Sequence, residues 1–353
     1  PFFIKGKILM AKKALCAALA FLIIPGISGC SNREKRFDAT FLELFDTVTE
    51  IVAYTESRAE FEELARFIYD SLSEYHRLYN IYESYEGLSN IKTINENAGT
   101  SPVKVDKRII DLLLFGKEMY KLTGGKVNIA LGPVLKIWHE YRENGINNPE
   151  SAKLPGQREL TDAAGHTDID SIVIDTDNNT VFLEDKDMSL DVGAIAKGYA
   201  AECVARLLKE NGYNDVLLSV GGNVRALGAR DDGTAWEVGI ADPFDKARTV
   251  NTVSLKDTSL VASGDYQRYY TVNGRRYHHI INPETLMPAE GFTAVSVISE
   301  SSAVADALST ALFILPLDVG QKLIGGIPNT YAVWVMPDGS VKYSPGFEKI
   351  TKS

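Results

Sequence analysis

The chain has 353 residues, of which 45% are hydrophobic and 24% charged, as in ordinary folded domains. Its 37 lysines and arginines against 47 aspartates and glutamates give a formal charge of −10, which argues against nucleic acid or an anionic lipid surface as the main partner. Of its three cysteines only Cys203 lies in the body of the chain. An intrachain disulfide framework is therefore excluded, and the fold must rest on its apolar core.

The first thirty residues have the pattern of an export signal. Lys12 and Lys13 precede an apolar run over 14–24, and this run is too short to span a bilayer. Small residues follow it, as at a cleavage site. We expect residues 1–29 to be removed and Met10 to be the true start of translation.

The end of this signal, Ile27-Ser28-Gly29-Cys30, resembles a bacterial lipobox. In that motif the cysteine carries the lipid, so Cys30 is predicted to anchor the protein at the extracytoplasmic face of the cell membrane, with 30–38 as a tether. The alternative is an ordinary secretory signal with a chance cysteine. Removal of residues 1–29 leaves 33 basic and 47 acidic residues, a net charge of −14.

The first part of the body predicts a strand followed by helices. Alternating hydrophobic and polar residues over 41–54 predict a strand rich in β-branched and aromatic side chains. Ser57 is a candidate N-cap for a long amphipathic helix. A second helix is predicted over 107–122, ending at Gly124-Gly125, because glycines commonly follow helix C-termini.

The remainder predicts strands and helices without regular βαβ spacing. The predicted elements are a hairpin of 172–174 and 181–183, a helix over 196–209, strands over 216–220, 236–240, 251–255 and 293–298, a hairpin turned at Asn273-Gly274, helices over 302–314 and 317–324, and a hairpin turned at Asp338-Gly339. This order predicts an α+β fold, with a mixed, mostly antiparallel sheet and packed helices. We expect one domain over 39–349.

The helix predicted over 302–314 carries a polar pair in an otherwise apolar sequence. Asp306 and Thr310 are four residues apart and therefore share a face of the helix. Carboxylate and hydroxyl oxygens are ligands that suit Mg²⁺. By itself the pair is more simply explained by a solvent-facing aspartate and a threonine bonded to the preceding turn.

A glycine-rich junction lies where strand-like residues 190–192 give way to a helix. Backbone N–H groups over 193–198 can face phosphate oxygens there, and Lys197 can add a positive charge. Such a sequence is more often only a tight turn. Asp191, just ahead of the junction, is a second carboxylate candidate for binding a ligand or a metal.

The five histidines divide into two groups. His278 and His279 end a predicted strand, so their side chains should face opposite ways and at most one can enter a given site. A neutral imidazole there could act as a general base on a hydroxyl group. His76, His139 and His166 are predicted to be polar surface residues. The chain lacks HExxH, CxxC and GxSxG, which argues against a zinc site and a serine hydrolase.

Eight sequence blocks are informative because of their order and spacing along the chain. They are FDT (45–47), TGGKVNIALGPVLKIW (123–138), LDVGAIAKGYAAE (190–202), LLSVGGNVRALG (217–228), WEVGIADP (236–243), SGDYQRYY (263–270), YHHIINPET (277–285) and ADALSTALF (305–313). Together they resemble the FAD:protein FMN transferase (ApbE/Ftp) family over about residues 39–325. Members of that family are commonly exported lipoproteins.

The resemblance implies an enzyme that binds FAD and Mg²⁺. Such an enzyme attaches FMN through a phosphoester to a threonine or serine of a partner flavoprotein and releases AMP. The expected partner is a membrane or extracytoplasmic electron-transfer protein. Two alternatives remain open: an FAD pyrophosphatase that releases FMN and AMP, and a lipoprotein that binds FAD without turning it over.

The resemblance also implies roles for single residues. His279 matches the position of the base for the acceptor hydroxyl, with His278 as its outward neighbour. The implied metal ligands are Asp306, Thr310 and the carbonyl of Ala194. The implied FAD contacts are Phe45, Tyr82, Lys126, Val127, Asn128, Asp191, Lys197 and Ile281. The chain departs from the family pattern at 126–128, where a small residue, an aromatic and Asp are usual, and at Leu286, where Gly is frequent.

Overall fold

A computed structural model describes residues 35–245 and 247–351. The strands are β1 (Lys35–Phe41), β2 (Thr49–Thr55), β3 (Val103–Lys104), β4 (Ile172–Asp175), β5 (Thr180–Leu183), β6 (Val216–Val220), β7 (Asn223–Leu227), β8 (Trp236–Ala241), β9 (Thr249–Leu255), β10 (Ser259–Gly264), β11 (Tyr269–Val272), β12 (Arg275–His278), β13 (Ala294–Ser299), β14 (Tyr331–Val335) and β15 (Val341–Tyr343). The helices are α1 (Arg58–Tyr79), α2 (Ile91–Glu96), α3 (Lys107–Leu122), α4 (Gly132–Asn147), α5 (Gln157–Ala164), α6 (Ala196–Glu210), α7 (Ser302–Ile314) and α8 (Leu317–Gly325). In this part of the chain, no helix combines the length and apolarity that a membrane crossing requires.

An eight-stranded sheet in the order β1-β2-β6-β7-β10-β13-β14-β15 forms the centre of the fold. Each neighbouring pair in it is antiparallel. Three smaller antiparallel sheets pair β11 with β12, β8 with β9, and β5 with both β3 and β4. The predicted α+β class is confirmed, and the sheet is antiparallel among all these pairs.

Both faces of the central sheet are covered, which explains why every residue of β6 is buried. On one face, Leu218 belongs to a large apolar cluster that includes residues of α1, α3 and α6. On the other face, Leu217 packs with Trp236 and Val253 of the β8–β9 hairpin. The alternation of the strand thus sends successive side chains into two separate cores. Helix α7 packs on β10 and β13 and against α6.

The structure revises the start of the domain. The strand predicted over 41–54 does not run through that range: β1 ends at Phe41, a 3₁₀ turn follows at Leu44–Asp46, and β2 begins at Thr49. Residues 35–38, predicted as part of the tether, lie in strand β1. The physical reason is that Phe37 and Ala39 pack against the large apolar cluster. The predicted signal peptide and Cys30 lie outside the described residues.

Most other predicted elements are confirmed, with end points within a few residues. Ser57 accepts a hydrogen bond from the backbone N–H of Glu60 and caps α1. The helices at 107–122 and 302–314 have the predicted bounds. Helix α4 and strands β7 and β10 were not predicted. Of these, helix α4 contributes two residues to the candidate site described below.

Candidate active site

The carboxylate of Asp306 lies buried between α6 and α7. Its side chain is only 6% exposed, and its Oδ2 accepts the backbone N–H of Gly198 at 2.8 Å. Lys197 Nζ lies 3.9 Å from the same oxygen. Burial raises the Asp306 pKa, while the Lys197 charge, the Gly198 N–H and the Asn223 side chain lower it. The glycine-rich junction and Asp306 are therefore in direct contact in three dimensions.

The first turn of α6 is modified at this contact. Ala196 N donates to Val192 O, and Tyr199 N donates to Ile195 O. In a regular helix Gly198 N would donate to Ala194 O, but here it donates to Asp306. Within the described residues the Ala194 carbonyl is thus left without its helical partner and remains available as a ligand.

Thr310 lies one turn beyond Asp306 and is half-buried. The hydroxyl that bonds back to the Asp306 carbonyl is that of Ser309, at 2.9 Å. The bond to that carbonyl, which the sequence suggested for Thr310, is thus made by Ser309. A buried carboxylate, a hydroxyl and a free carbonyl are hard oxygen donors, so these residues fit Mg²⁺.

His279 follows β12 directly and is held through its main chain. Its N–H donates to the Arg268 carbonyl at 3.1 Å. Its Nδ1 is buried and has no hydrogen-bond partner among the described residues. Burial, together with the positive charges of Arg268 and Arg142, lowers the His279 pKa to about 3. The imidazole is therefore neutral near pH 7, as a general base must be.

His278 is buried, so the prediction that it is an outward neighbour is wrong. Its ring nitrogens bond the Ala289 carbonyl at 2.8 Å and the Ile280 N–H at 3.2 Å. Its ring meets Phe313 of α7 edge-on, with centroids 5.5 Å apart. The strand alternation does separate the two histidines, but a second layer of structure covers the face that was expected to meet water.

Asp191 lies on the N-terminal side of the glycine-rich junction and stabilises it through hydrogen bonds. Its backbone N–H donates to the Ile129 carbonyl at 2.9 Å, and its Oδ1 accepts the Gly193 N–H at 2.8 Å. Burial raises the Asp191 pKa, whereas positive charges on His139, Arg142 and Arg268 would lower it. The Asp191 carboxylate therefore lies within a group of charged side chains that act on one another.

Two arginines of this group, Arg142 and Arg268, were not predicted. The guanidinium of Arg142 lies 2.7 Å from His139 Nδ1, and the His139 ring lies 5.5 Å from the ring of Tyr82. Neither arginine has a carboxylate within ion-pair distance in the described part of the chain. Unpaired arginines beside a site are suited to binding an anion. The i, i+3 spacing of His139 and Arg142 would have revealed this face if α4 had been predicted.

His76 and His139, predicted as polar surface residues, are half-buried, and each contacts neighbouring side chains. His76 lies on α1, where its Nδ1 accepts the backbone N–H of Phe45 at 3.1 Å. Its ring also meets the ring of Phe45 edge-on at 5.4 Å. Phe45 was expected to contact FAD, and the structure adds a histidine behind it.

The remaining expected FAD contacts have side chains that already support the fold. Lys126 forms an ion pair with Glu284 of the loop after His279. Val127 is buried. Asn128 donates to the Thr167 carbonyl at 3.0 Å and accepts the Ala130 N–H at 2.9 Å. Ile281 is buried in the cluster that contains Trp138.

A separate group of potential metal ligands joins His166, which precedes β4, to Asp185 and Asp187, which follow β5. His166, predicted as a polar surface residue, is partly exposed and bonds Asp185 at 2.6 Å. One ligand atom from each of His166, Asp185 and Asp187 lies within 4.8 Å of the others. Lys186 already pairs with Asp187 at 2.6 Å, and none of these residues is an expected ligand.

Comparison with known proteins identifies the family of this chain. The sequence model of the ApbE family matches residues 45–334. The chain is 30% identical to an FAD:protein FMN transferase from Treponema pallidum (strain Nichols), covering 92% of this chain and 91% of that protein. It is 31% identical to an FAD:protein FMN transferase from Klebsiella pneumoniae (strain 342), covering 69% and 76% of the two chains.

Solved structures give the same result for the fold. The crystal structure of the ApbE protein from Thermotoga maritima is similar, with a TM-score of 0.80 and 26% identity, over 90% of this chain and 100% of that one. The apo form of the flavinyl transferase ApbE from Pseudomonas stutzeri shares the fold at a TM-score of 0.76, with 24% identity, over 91% and 98% of the two chains. The resemblance inferred from the ordered blocks is thereby confirmed. The chain belongs to the ApbE family.

Proposed function

We propose that this protein is an Mg²⁺-dependent FAD:protein FMN transferase. The observation that carries the proposal is the position of Lys197. Its ammonium lies 3.9 Å from Asp306, and its charge contributes to the lowered pKa of His279. The Lys197 charge thus acts on both the Asp306 carboxylate and the neutral His279 imidazole. The names of the similar proteins from Treponema and Klebsiella support the same reaction.

The substrate FAD is an anion, which explains the charge of the site. Arg142, Arg268 and Lys197 attract its pyrophosphate, although the whole chain is acidic. Asp306, Thr310 and the Ala194 carbonyl would hold Mg²⁺, which supplies charge neutralisation of the phosphate oxygens. Tyr82, whose side chain is widely exposed, offers an aromatic face to a ring of the substrate.

His279 supplies the base for the transfer step. It takes the proton from a threonine or serine hydroxyl of the acceptor protein, and that oxygen forms a bond to the phosphorus of the FMN half. The anhydride bond to the other phosphorus breaks, and AMP leaves with the electron pair. A hydroxyl is a poor nucleophile near neutral pH, so a positioned neutral imidazole accelerates this step.

The proposal includes a location. The Ile27–Cys30 lipobox supports a lipid anchor on Cys30 at the extracytoplasmic face of the membrane, where an electron-transfer flavoprotein would be the acceptor. Cells labelled with a fatty acid should yield a labelled protein, and Cys30→Ser should remove the label. Labelling that persists in Cys30→Ser would contradict the anchor.

The reaction itself is tested by incubating the protein from residue 31 onward with FAD, Mg²⁺ and a candidate acceptor domain. Transfer gives in-gel flavin fluorescence and a mass gain of one FMN on the acceptor, lost when the acceptor threonine is changed to valine. Free FMN and AMP without acceptor labelling would instead establish a pyrophosphatase. Unchanged FAD that remains bound would establish a flavin-binding protein.

A further inference from the structure

The 3₁₀ turn at Leu44–Asp46 holds a strained backbone. Phe45 has φ +55° and ψ +28°, and Asp46 has φ +51°. Residues other than glycine rarely adopt this left-handed backbone region, and each one that does costs about 1–2 kcal/mol of conformational free energy. Two in succession need support from surrounding structure, and such strain is commonly found at ligand contacts.

The support comes from α1, which is 31 residues away in sequence. His76 Nδ1 accepts the Phe45 N–H at 3.1 Å, and the two rings meet edge-on at an interplanar angle of 81°. The neighbours of His76 along α1, Leu72 and Tyr79, are buried in the large apolar cluster. The His76 imidazole is therefore fixed to a well-packed helix, and its hydrogen bond to Phe45 attaches the short 3₁₀ turn to that helix.

We propose that His76 is a positioning residue that presents Phe45 to the flavin substrate by accepting its backbone N–H. This inference rests on the proposed function, since Phe45 serves as an FAD contact only if the protein uses FAD. His76 itself needs no contact with the substrate. Its role is to keep the Phe45 ring in one place before the substrate arrives, which reduces the ordering cost of binding.

The role requires a particular protonation state. Nδ1 accepts a hydrogen bond only when it carries no proton, and a protonated ring would place a donor against the Phe45 N–H. Burial lowers the His76 pKa, whereas the facing carboxylates of Asp46 and Glu83 raise it, and the net shift is downward. At neutral pH the acceptor is therefore in place, and it is lost in acid.

Two variants of His76 separate positioning from general stability. In His76→Asn, Oδ1 takes the place of Nδ1 and accepts the same N–H without titrating. In His76→Ala the acceptor is gone. Loss of one hydrogen bond predicts a rise of about three- to tenfold in the KM for FAD in His76→Ala, with kcat little changed. His76→Asn should stay near the KM of the unmodified protein. Ser73→Ala, on the same helix with its hydroxyl bonded to Tyr69 O at 2.7 Å, is the matched control.

The pH dependence gives a second readout. As the pH falls below the ordinary histidine range, the KM of the unmodified protein should rise relative to that of His76→Asn, because only histidine can be protonated. Equal KM values for His76→Ala and the unmodified protein would overturn the inference. So would an increase in His76→Asn as large as that in His76→Ala.

A measurement without FAD distinguishes failure of this inference from failure of the proposed function. In protein labelled with ¹⁵N-phenylalanine, the Phe45 amide is identified by its loss in Phe45→Tyr, and its exchange with solvent is followed. Slow exchange in the unmodified protein and His76→Asn, and rapid exchange in a folded His76→Ala, are expected. Rapid exchange in all three overturns the inference. If these exchange results hold but the protein does not turn over FAD, the hydrogen bond from Phe45 to His76 is correct and the proposed substrate is wrong.

Discussion

Gly198 donates its backbone N–H to the Asp306 carboxylate at 2.8 Å, although the two residues are 108 positions apart. A Cβ at Gly198 would lie 2.4 Å from the Asp306 Cβ and 2.4 Å from the Ser302 carbonyl oxygen. Only glycine therefore allows α6 and α7 to approach closely enough for this bond. The contact joins the glycine-rich junction to the helix that carries the expected metal ligands.

Gly198→Ala should push α6 and α7 apart, because one of its clashes is with a backbone atom that has no rotamer to escape into. Overpacking of this kind costs about 1–3 kcal/mol. Thermal unfolding should show a lower midpoint, and Mg²⁺-dependent turnover should fall with it. Gly156→Ala is the control, since a Cβ there meets nothing within 4 Å. An unchanged midpoint in Gly198→Ala would contradict the packing argument.

Asp306→Asn should abolish Mg²⁺-dependent turnover while leaving the fold intact. The amide removes the charge but can still accept the Gly198 N–H. Burial raises the Asp306 pKa, so without metal the ionised carboxylate destabilises the folded state at neutral pH. In EDTA the variant should therefore unfold at a higher temperature than the unmodified protein, and Mg²⁺ should stabilise only the latter. Full activity in the variant would refute the metal site.

Arg142→Met should weaken binding of anionic FAD. Hydrogen bonds to a charged group contribute about 1.5–3 kcal/mol, which corresponds to a rise of about ten- to a hundredfold in the KM for FAD. Arg158→Met is the matched control, because that side chain is 94% exposed and pairs with Asp162 on the same helix. A KM for Arg142→Met equal to that of the control would exclude Arg142 from the site.

The pH profile of transfer should reflect the lowered pKa of His279, which is about 3 in the free protein. Because the base form persists to low pH, kcat/KM should not decline through the ordinary histidine range, near 6.5. Bound FAD offsets the charges of Arg142 and Arg268 and raises this pKa, so the acid limb of kcat should lie at higher pH than that of kcat/KM. His279→Ala should slow transfer more than it weakens FAD binding. Identical acid limbs would argue against this electrostatic account.

Leu286→Gly should destabilise the protein even though Leu286 has φ +62°, where the family often has glycine. Relief of the backbone strain gains about 1–2 kcal/mol. Loss of a buried leucine costs about 2–5 kcal/mol, and Leu286 is only 7% exposed in the cluster with Trp138. Chemical denaturation measures the net loss. Asn273→Gly, at φ +49° in an exposed turn, lacks the burial cost and should be neutral or stabilising. A more stable Leu286→Gly would show that strain outweighs burial.

The sequence by itself determined the local elements and much of the site. Helix α3 was predicted with its observed bounds, because its caps and apolar period are local signals. Asp306 and Thr310 share a face for the same reason, since helical geometry fixes residues four apart. The order of the blocks was enough to place the chain in its family.

Only the tertiary structure decided which of these residues lie in contact. Phe45 and His76 meet across 31 positions, and Gly198 meets Asp306 across 108. No periodic pattern of residues along the sequence predicts such contacts. The burial of His278 and the grouping of Arg142 with His279 likewise depend on which segments pack together. Local backbone preferences are set by neighbours along the chain, whereas burial and pKa are set by neighbours in space, and the fold alone brings those together.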